Sequence, residues 1–452
     1  MPELGEFLEL GRKAVEAALR AGATEAEAYI SSGTSAELLF TDKVESFRLS
    51  TSTGLGVRAL VGKRLGISSS FLLTPEKAGE VAEKAVRIAK ASSEDREWRS
   101  LPSNLGKSSV EGLFDRETAE LDPDRLVGCV EVLADAIADL GKPVRPTRGM
   151  MRAGQGLVVI CNSSGEEAHR SGTRAYVWVR ATAEEGGRSA TANEADCATA
   201  LSDIDFAALG TRAASRALDF LKARKVPTQK MDVVIRGFVM GSILATMFAG
   251  TLTADAVQER RSPWAGRVGQ EVASEAFTLL DEGNRPRGFR SREMDDEGLP
   301  TGRTVLIERG VLKGFLYDDY RAKREGRRST GNAWRAGPGS RPSPAPNCLV
   351  LQPGDWALEE LLADTREGLY VVETIGEWLS DPVRGFLNAN VSHGYLIRNG
   401  ELAEPVSGVM MSCSFFEAMK GAMDAFGREL ENYSGFYAPA VRIRGVSISG
   451  EG

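Results

Sequence analysis

Strand-forming segments follow one another in runs along this chain, and only a few long helices separate the runs. Residues 26–32, 36–42 and 44–52 alternate apolar and polar side chains, as neighbouring antiparallel strands do. A doubly wound sheet or a TIM barrel would instead place a helix after nearly every strand. The sequence therefore predicts an α+β fold with largely antiparallel sheets, each packed with a few long helices.

The length of the chain argues for more than one hydrophobic core. At 452 residues it exceeds what one core usually organises, which suggests two large domains or three smaller ones. Residues 225–230 are short and polar and follow a helical pattern that ends the first half. We place a boundary there and predict an N-terminal domain over residues 1–224 and a C-terminal domain over residues 231–452.

Helix starts carry clear local signals. Thr74-Pro75 and Asp122-Pro123 each combine a capping side chain with a proline at the first helical position, and apolar residues then recur at helical spacing. Similar spacing predicts helices near residues 3–21 and 205–222 and an apolar helix after residue 236. A further helix is predicted near residues 415–426. Residues 254–269 are charged and are predicted to lie on the surface.

Two hairpins share one pattern. Residues 303–318 contain Leu-Ile-x-x-Gly-x-Leu around Arg309-Gly310, and the pattern recurs around Asn399-Gly400. The recurrence suggests a repeated sheet unit, although turn chemistry alone can also produce it.

Charge and composition exclude several classes of protein. The net charge of −7 and the pI near 5.4 disfavour a surface that coats nucleic acid, and 42% hydrophobic residues are typical of a globular protein. No apolar run is long enough to span a membrane, and the first residues lack the order of a signal peptide. We therefore expect a cytoplasmic protein.

An acidic run precedes the first hairpin. The carboxylates of Asp295, Asp296 and Glu297 could hold a hard cation, and Asp296 is one candidate for catalysis. No second group of ligands follows nearby in the sequence. A solvated acidic turn is the favoured interpretation.

Histidine and cysteine offer little else. His169 and His393 stand alone, without the paired spacing of a zinc hydrolase, and are predicted to be strand or turn residues. Cys413 lies between Ser412 and Ser414, which could cap a following helix, and a thiol at a helix start can be reactive. It is the other catalytic candidate, but a buried, inert thiol is favoured.

Several segments together resemble one known family. They are residues 54–70 (GLGVRALVGKRLGISSS), 262–274 (SPWAGRVGQEVAS), 295–318 (DDEGLPTGRTVLIERGVLKGFLYD), 329–335 (STGNAWR) and 353–362 (PGDWALEELL). In this order they resemble the TldD/PmbA family, also labelled modulators of DNA gyrase, over nearly the whole chain.

The resemblance implies a cytoplasmic heterodimer of two related subunits, TldD and TldE (PmbA), that degrades or trims unfolded peptides in a shared cavity. It implies that TldD holds the metal through H-E-x-x-x-H on a helix and a cysteine near the C-terminus. At best, Ala254 stands here where the first histidine would be and Asp255 where the glutamate would be. Residues 427–443 lack the cysteine. The chain thus resembles the TldE side, with no catalytic or metal-binding residue of its own and zinc in its partner.

Three functional hypotheses follow. The first is a non-catalytic subunit that works with a TldD-type partner and holds an unfolded peptide along an exposed sheet edge. Under this hypothesis, the chain can also form a homodimer. The second is a peptidase acting alone through Cys413 or Asp296. The third is a regulator that binds gyrase or nucleic acid, which the acidic pI disfavours. We expect Thr330, Gly331 and Asn332 to contact peptide or partner.

Overall fold

The computed structural model describes residues 4–450. Its first half contains five helices: α1 (Leu4–Arg20), α2 (Pro75–Ala91), α3 (Arg116–Glu120), α4 (Pro123–Ala138) and α5 (Phe206–Phe220). Its strands are β1 (Glu25–Phe40), β2 (Val44–Val61), β3 (Arg64–Ser70), β4 (Val144–Asn162), β5 (Glu167–Glu185) and β6 (Arg188–Ala198). They form one antiparallel sheet in the order β3-β2-β1-β4-β5-β6. We call it the N-terminal sheet.

The central strand β1 is longer than its sequence pattern predicts. The pattern separates residues 26–32 from 36–42, whereas the structure runs one strand from Glu25 to Phe40. Gly33 does not interrupt it, because both neighbouring strands continue alongside: Gly33 lies opposite Ser52 of β2 and Gly156 of β4. Pairing on both sides therefore overrides the weak strand preference of residues 31–35.

Helices cover one face of the N-terminal sheet. Ala28 and Ile30 of β1 pack against α1 and α2, whereas Leu38 and Phe40, on the same face, pack against α4 and α5. The predicted caps are confirmed: Thr74 accepts a hydrogen bond from the backbone N–H of Lys77 at 3.2 Å and Asp122 from that of Arg125 at 2.9 Å. The opposite face is left for the second half of the chain and for solvent.

The second half contains the helices α6 (Gly237–Phe248), α7 (Ala254–Gln258), α8 (Asp319–Arg324), α9 (Leu358–Thr365) and α10 (Phe415–Glu417). Its strands are β7 (Gln229–Ile235), β8 (Leu279–Glu282), β9 (Arg303–Glu308), β10 (Val311–Leu312), β11 (Ala333–Trp334), β12 (Ser343–Pro344), β13 (Leu349–Leu351), β14 (Glu367–Ile375), β15 (Phe386–Arg398), β16 (Glu401–Val406), β17 (Val409–Ser414), β18 (Met423–Phe426), β19 (Glu431–Tyr433), β20 (Phe436–Ala438) and β21 (Val441–Ser449).

Two larger sheets organise these strands. One has the order β10-β9-β8-β13-β20-β19, and the other runs β14-β7-β21-β17-β15-β16, with β18 added on β21. Because β14 also pairs with β15, five strands of the second sheet close into a ring. Val233, Val371, Val391 and Met411 belong to the apolar core at this ring. Among the strands of residues 4–450, β7–β14 and β13–β20 pair in parallel and the other strand pairs are antiparallel, so the predicted α+β fold with largely antiparallel sheets is confirmed.

The two similar hairpins belong to different sheets. Arg309-Gly310 joins β9 to β10, whereas Asn399-Gly400 joins β15 to β16. All four turn residues have positive φ, between 46° and 84°. The shared pattern therefore reflects turn chemistry, and the predicted repeated sheet unit is wrong.

Two local predictions are also wrong. Residues 254–269 are not simply a charged surface segment, since Trp264 is fully buried against Phe248 and Phe416. Instead of a helix through residue 426, α10 is followed by a π turn over Ala418–Ala422 and then by β18. Between Leu4 and Gly450, no helix is long and apolar enough to cross a membrane.

Candidate functional site

The acidic run lies at the interface between the N-terminal sheet and the second half of the chain. Asp295, Asp296 and Glu297 are 0%, 3% and 1% exposed, so the expected solvated turn is wrong. The reason is long-range pairing: the uncovered face of the N-terminal sheet supplies arginines that sequence proximity does not reveal. Buried carboxylates persist because these cations and backbone N–H groups compensate for lost hydration.

Arg58 of β2 joins the two halves. Its guanidinium lies 2.7 Å from Glu27 of β1 and 3.0 Å from Glu297, and all three side chains are buried. Arg335 forms a second buried ion pair with Glu27. Burial by itself would raise the pKa of Glu27, but Arg335 and Arg58 together hold that pKa below its usual value.

Asp296 is held in the same network. Arg170 of β5 lies 2.6 Å from one carboxylate oxygen, and the backbone N–H of Arg335 donates to the other at 2.9 Å. Burial would raise the pKa of Asp296, but Arg292 and Arg170 outweigh it and lower that pKa. A carboxylate so fully paired is suited to joining the two halves rather than to moving a proton.

Three further carboxyls share this region and respond in the opposite direction. Burial, followed by the charge of Glu297, raises the pKa of Asp295, of Asp318 and of Asp319, the last to about 6. Asp318 caps α8 by accepting from the backbone N–H of Arg321 at 2.7 Å. The interface thus holds more buried carboxyl groups than its arginines neutralise.

The polar loop after α8 faces inward. Asn332 is fully buried and donates to Asp281 at 2.8 Å, and the Thr330 hydroxyl accepts from the backbone N–H of Tyr317 at 2.8 Å. Gly331 has a φ of 72°, and a Cβ there would lie 2.3 Å from the carbonyl oxygen of Pro300. These residues position the loop, and their contact with peptide or partner stays a prediction.

The segment matched to the family's metal motif offers few ligands. The helix at Ala254 and Asp255, α7, is five residues long, too short to carry the six-residue motif. Ala254 is fully buried and has no ligating atom, and Asp255 pairs with Arg261 at 3.0 Å. The longer α6 before it contains no His, Cys, Asp or Glu.

The helix that precedes Ala254, α6, nevertheless meets the C-terminal segment 427–443, because α6 packs on β19 and β20. A Cβ on Gly241 would lie 2.7 Å from the carbonyl oxygen of Phe436 and 2.8 Å from Cβ of Tyr433. Glu431, a carboxylate at the junction, accepts from Arg236 at 2.7 Å and from the backbone N–H of Phe238 at 3.1 Å. The junction is close-packed at Gly241, and a cavity of about 270 Å³ lies beside it at Arg236, Phe238 and Tyr433. The carboxylates of that cavity, Glu194 and Glu373, pair with Arg236 and His393, so these side chains do not form a zinc site.

Potential metal ligands are not grouped elsewhere in the described residues either. In residues 4–450, no three His, Cys, Asp or Glu side chains are grouped so that they could hold a metal ion.

Cys413 lies in β17 and not at the start of a helix long enough to activate its thiol. Burial raises the pKa of its thiol to about 11, and α10, which follows, has only three residues. His393 is in β15, the neighbouring strand, but its ring contacts the carbonyl oxygen of Thr191 at 2.6 Å and lies beside Glu373. His169 lies in β5, so both histidines are strand residues, as predicted.

Sequence reasoning missed a cleft on the uncovered face of the N-terminal sheet. Its volume is about 570 Å³. Gly33, Gly156 and Gly172 lie side by side on β1, β4 and β5 and form a floor without side chains. Arg170 and Arg174 flank Gly172 on β5, and the lining also includes Phe289, Ser291 and Arg292. We call this feature the arginine cleft. Isolated glycines inside strand patterns were its sequence signal.

Comparisons with known proteins agree along the chain. Three family domains match it in order: PmbA/TldA metallopeptidase domain 1 over residues 26–89, the central domain over residues 116–221 and the C-terminal domain over residues 228–450. The first two share the N-terminal sheet, since β1 pairs with both β2 and β4.

Individual relatives are similar over most of their length. A metalloprotease from Methanothermobacter thermautotrophicus is 26% identical over 93% of this chain and 94% of its own. The metalloprotease PmbA of Escherichia coli O157:H7 is 24% identical over 90% and 88%. The crystal structure of TldE from Thermococcus kodakarensis, 23% identical, superposes with a TM-score of 0.89 over 98% of this chain and all of that one, which establishes the fold. The chain belongs to the PmbA/TldD metallopeptidase family.

Proposed function

We propose that this chain is the non-catalytic subunit of a cytoplasmic, two-subunit metallopeptidase that degrades or trims unfolded peptides. A TldD-type partner supplies the metal, which we expect to be zinc, and this chain supplies part of the chamber that holds the peptide. An exposed sheet edge offers main-chain hydrogen bonds that do not depend on side-chain sequence.

One observation carries the proposal. The family is one of metallopeptidases, yet the junction of α6 with β19 and β20 presents glycine–backbone contacts, aromatic rings and the Arg236–Glu431 ion pair where a ligand set would be needed. Catalytic zinc needs three protein ligands and an open position for water. We therefore assign the metal and the cleavage step to a second subunit.

An exposed apolar segment supports an assembly. Five apolar side chains between residues 375 and 386 are 44–72% exposed: Ile375, Trp378, Leu379, Val383 and Phe386. We call this connection between β14 and β15 the apolar loop. Apolar groups gathered in this way mark protein–protein contacts more often than scattered ones do. The partner subunit is the occupant we assign to it.

The test reconstitutes the enzyme from separate subunits. The purified chain alone is expected to hold no stoichiometric zinc and to leave an unfolded peptide intact, and a TldD-type subunit from the same organism is expected to restore cleavage. Zinc and turnover in the isolated chain would instead support a peptidase acting alone.

Matched variants test the apolar loop. Trp378→Glu is expected to weaken assembly, as measured by light scattering after size-exclusion chromatography. Val132→Glu, on α4 and 51% exposed, is the control and is expected to assemble normally. Light scattering on the isolated chain also determines whether it forms a homodimer. Equal assembly of both variants would remove the apolar loop from the interface.

A further inference from the structure

The lining of the arginine cleft is basic. Four arginines line it, and no Asp or Glu does. Arg152 pairs with Glu37 at 2.6 Å, and both Arg170 and Arg292 face Asp296, at 2.6 and 3.4 Å. The charge of Asp295 also acts on Arg170 and Arg292, so all three of these arginines have carboxylate partners.

Arg174 is the cation left over. Its Nε donates to the carbonyl oxygen of Phe289 at 2.9 Å, and among residues 4–450 no carboxylate lies within ion-pair distance of it. Arg174 is exposed to the cleft, and the neighbouring Arg170, Arg292 and Arg290 surround its guanidinium with positive charge. A guanidinium surrounded by like charges gains from an anionic ligand.

The floor of the cleft is shaped for a main chain. Gly33, Gly156 and Gly172 place only backbone beneath the cleft, and a Cβ on Gly156 would have a single heavy-atom neighbour, the carbonyl oxygen of Ser32 at 3.8 Å. Ser31 and Ser35 flank Gly33 on the same face of β1. An extended segment can therefore lie close to the sheet without meeting a large side chain.

We propose that the arginine cleft binds a carboxylate of an unfolded peptide, with Arg174 as the group that contacts it. This inference rests on the proposed function, and it names a site on this subunit for the peptide that the partner cleaves. Arginine suits a carboxylate because its planar fork can donate two parallel hydrogen bonds. A polynucleotide is the less favoured occupant, since the chain has a net charge of −7 and the cleft has a single unpaired cation.

The carboxylate could belong to the C-terminus of the peptide or to an acidic side chain. Three fluorescent peptides without secondary structure separate the two sources: one with neutral side chains and a free C-terminus, the same peptide amidated, and the amidated peptide with one glutamate. Fluorescence anisotropy with the isolated full-length chain measures each dissociation constant. Binding of the first or the third peptide, but not of the second, is expected.

Variants then connect binding to the cleft. Arg174→Gln is expected to weaken binding by about tenfold. Gly156→Leu keeps every charge but fills the cleft, and it is expected to abolish binding. Arg148→Gln removes an exposed arginine of β4 outside the cleft, so it controls for overall charge and is expected to bind normally. Thermal unfolding of each variant establishes that it is folded.

Contrary results are equally definite. Equal affinity for all three peptides, no binding of any of them, or unchanged binding by folded Arg174→Gln would overturn the proposal. Arg174-dependent binding of a single-stranded oligonucleotide, without peptide binding, would assign the cleft to phosphate instead. None of these binding measurements needs the partner subunit. If the chain binds no peptide, the cleavage test with the reconstituted enzyme can still succeed. If that cleavage test fails, the measured peptide affinities remain valid.

Discussion

The guanidinium of Arg58 lies 3.0 Å from a carboxylate oxygen of Glu297, although 239 positions separate the two residues in the sequence. The pair crosses the interface between the N-terminal sheet and the second half of the chain, and both side chains are at most 3% exposed. Buried ion pairs contribute little net stability as pairs, but removing one partner leaves a charge without compensation. This asymmetry makes the pair a test of how firmly the two halves are joined.

Arg58→Met is therefore expected to lower the free energy of unfolding by about 3–5 kcal/mol, because Glu297 loses its guanidinium and Glu27 keeps only Arg335. Denaturant titration followed by tryptophan fluorescence measures the loss. The control is Arg48→Met on the same strand, where the arginine is exposed and a change within about 0.5 kcal/mol is expected. A variant at position 58 as stable as this control would mean that the interface does not depend on the pair.

Stability is expected to fall as the pH rises from about 5 to about 7.5. An unfolded aspartate titrates near 3.9, so a folded pKa of about 6 at Asp319 and about 7 at Asp281 means that the folded chain binds more protons across that range. Burial is the main cause in both cases. Glu27 and Asp296 have lowered pKa values and lose their contribution only when the pH drops below about 4.

The measurement compares thermal midpoints at the two pH values for matched variants. Asp319→Asn removes one of the groups whose pKa is raised, so its midpoint should change less with pH than that of the original chain. Asp122→Asn, at the exposed start of α4, should keep the original pH dependence. An unaltered pH dependence in Asp319→Asn would show that burial does not hold this carboxyl protonated.

Local features of the fold could be predicted from the sequence because their causes are local. Thr74 and Asp122 bond to backbone groups three positions away, and Asn399-Gly400 forms its turn through its own φ angles. The acidic run could not be placed in this way. Arg170 lies 126 positions from Asp296, and only the docked sheet reveals that the run is buried.

The candidate site also has some features that the sequence predicts and others that depend on the tertiary structure. The lack of ligands on α6 can be read from its composition, but the contact of α6 with β19 and β20 needs the tertiary structure. The arginine cleft depends on the register that aligns Gly33, Gly156 and Gly172 across three strands. Single-residue glycine signals cannot supply that register.

Cys413 is expected to be dispensable. Burial raises the pKa of its thiol to about 11, so very little thiolate exists at neutral pH. Cys413→Ala in a reconstituted enzyme should retain peptide cleavage within about twofold, and the isolated chain should react slowly with iodoacetamide at this position. Loss of turnover with assembly intact would revive the hypothesis of a peptidase acting alone.

Asp296 is the other catalytic candidate, and the Asp296→Asn variant distinguishes a structural role of its carboxylate from a catalytic one. Its carboxylate faces Arg170 and Arg292, so the neutral amide should lower the thermal midpoint, and any loss of cleavage should parallel the loss of folded protein. A stably folded, assembled Asp296→Asn variant without turnover would contradict this and identify a catalytic role.

Gly310 connects the β9–β10 hairpin to the rest of the second half. Its backbone N–H donates to the carbonyl oxygen of Phe277 at 2.9 Å, and its own carbonyl accepts from Val272 at 2.8 Å. With φ at 78°, a Cβ would lie 2.2 Å from the carbonyl oxygen of Ala273, which is backbone and cannot rotate away. Gly310→Ala is therefore expected to lower the free energy of unfolding by about 1–3 kcal/mol.

Gly302→Ala is the matched control for that substitution. It lies one residue before β9, and a Cβ there would have no neighbour within 4 Å, so a change within about 0.5 kcal/mol is expected. Denaturant titration of both variants under the same conditions measures the difference. Equal losses would mean that the hairpin does not depend on its contact with residue 273 and is positioned by its strands alone.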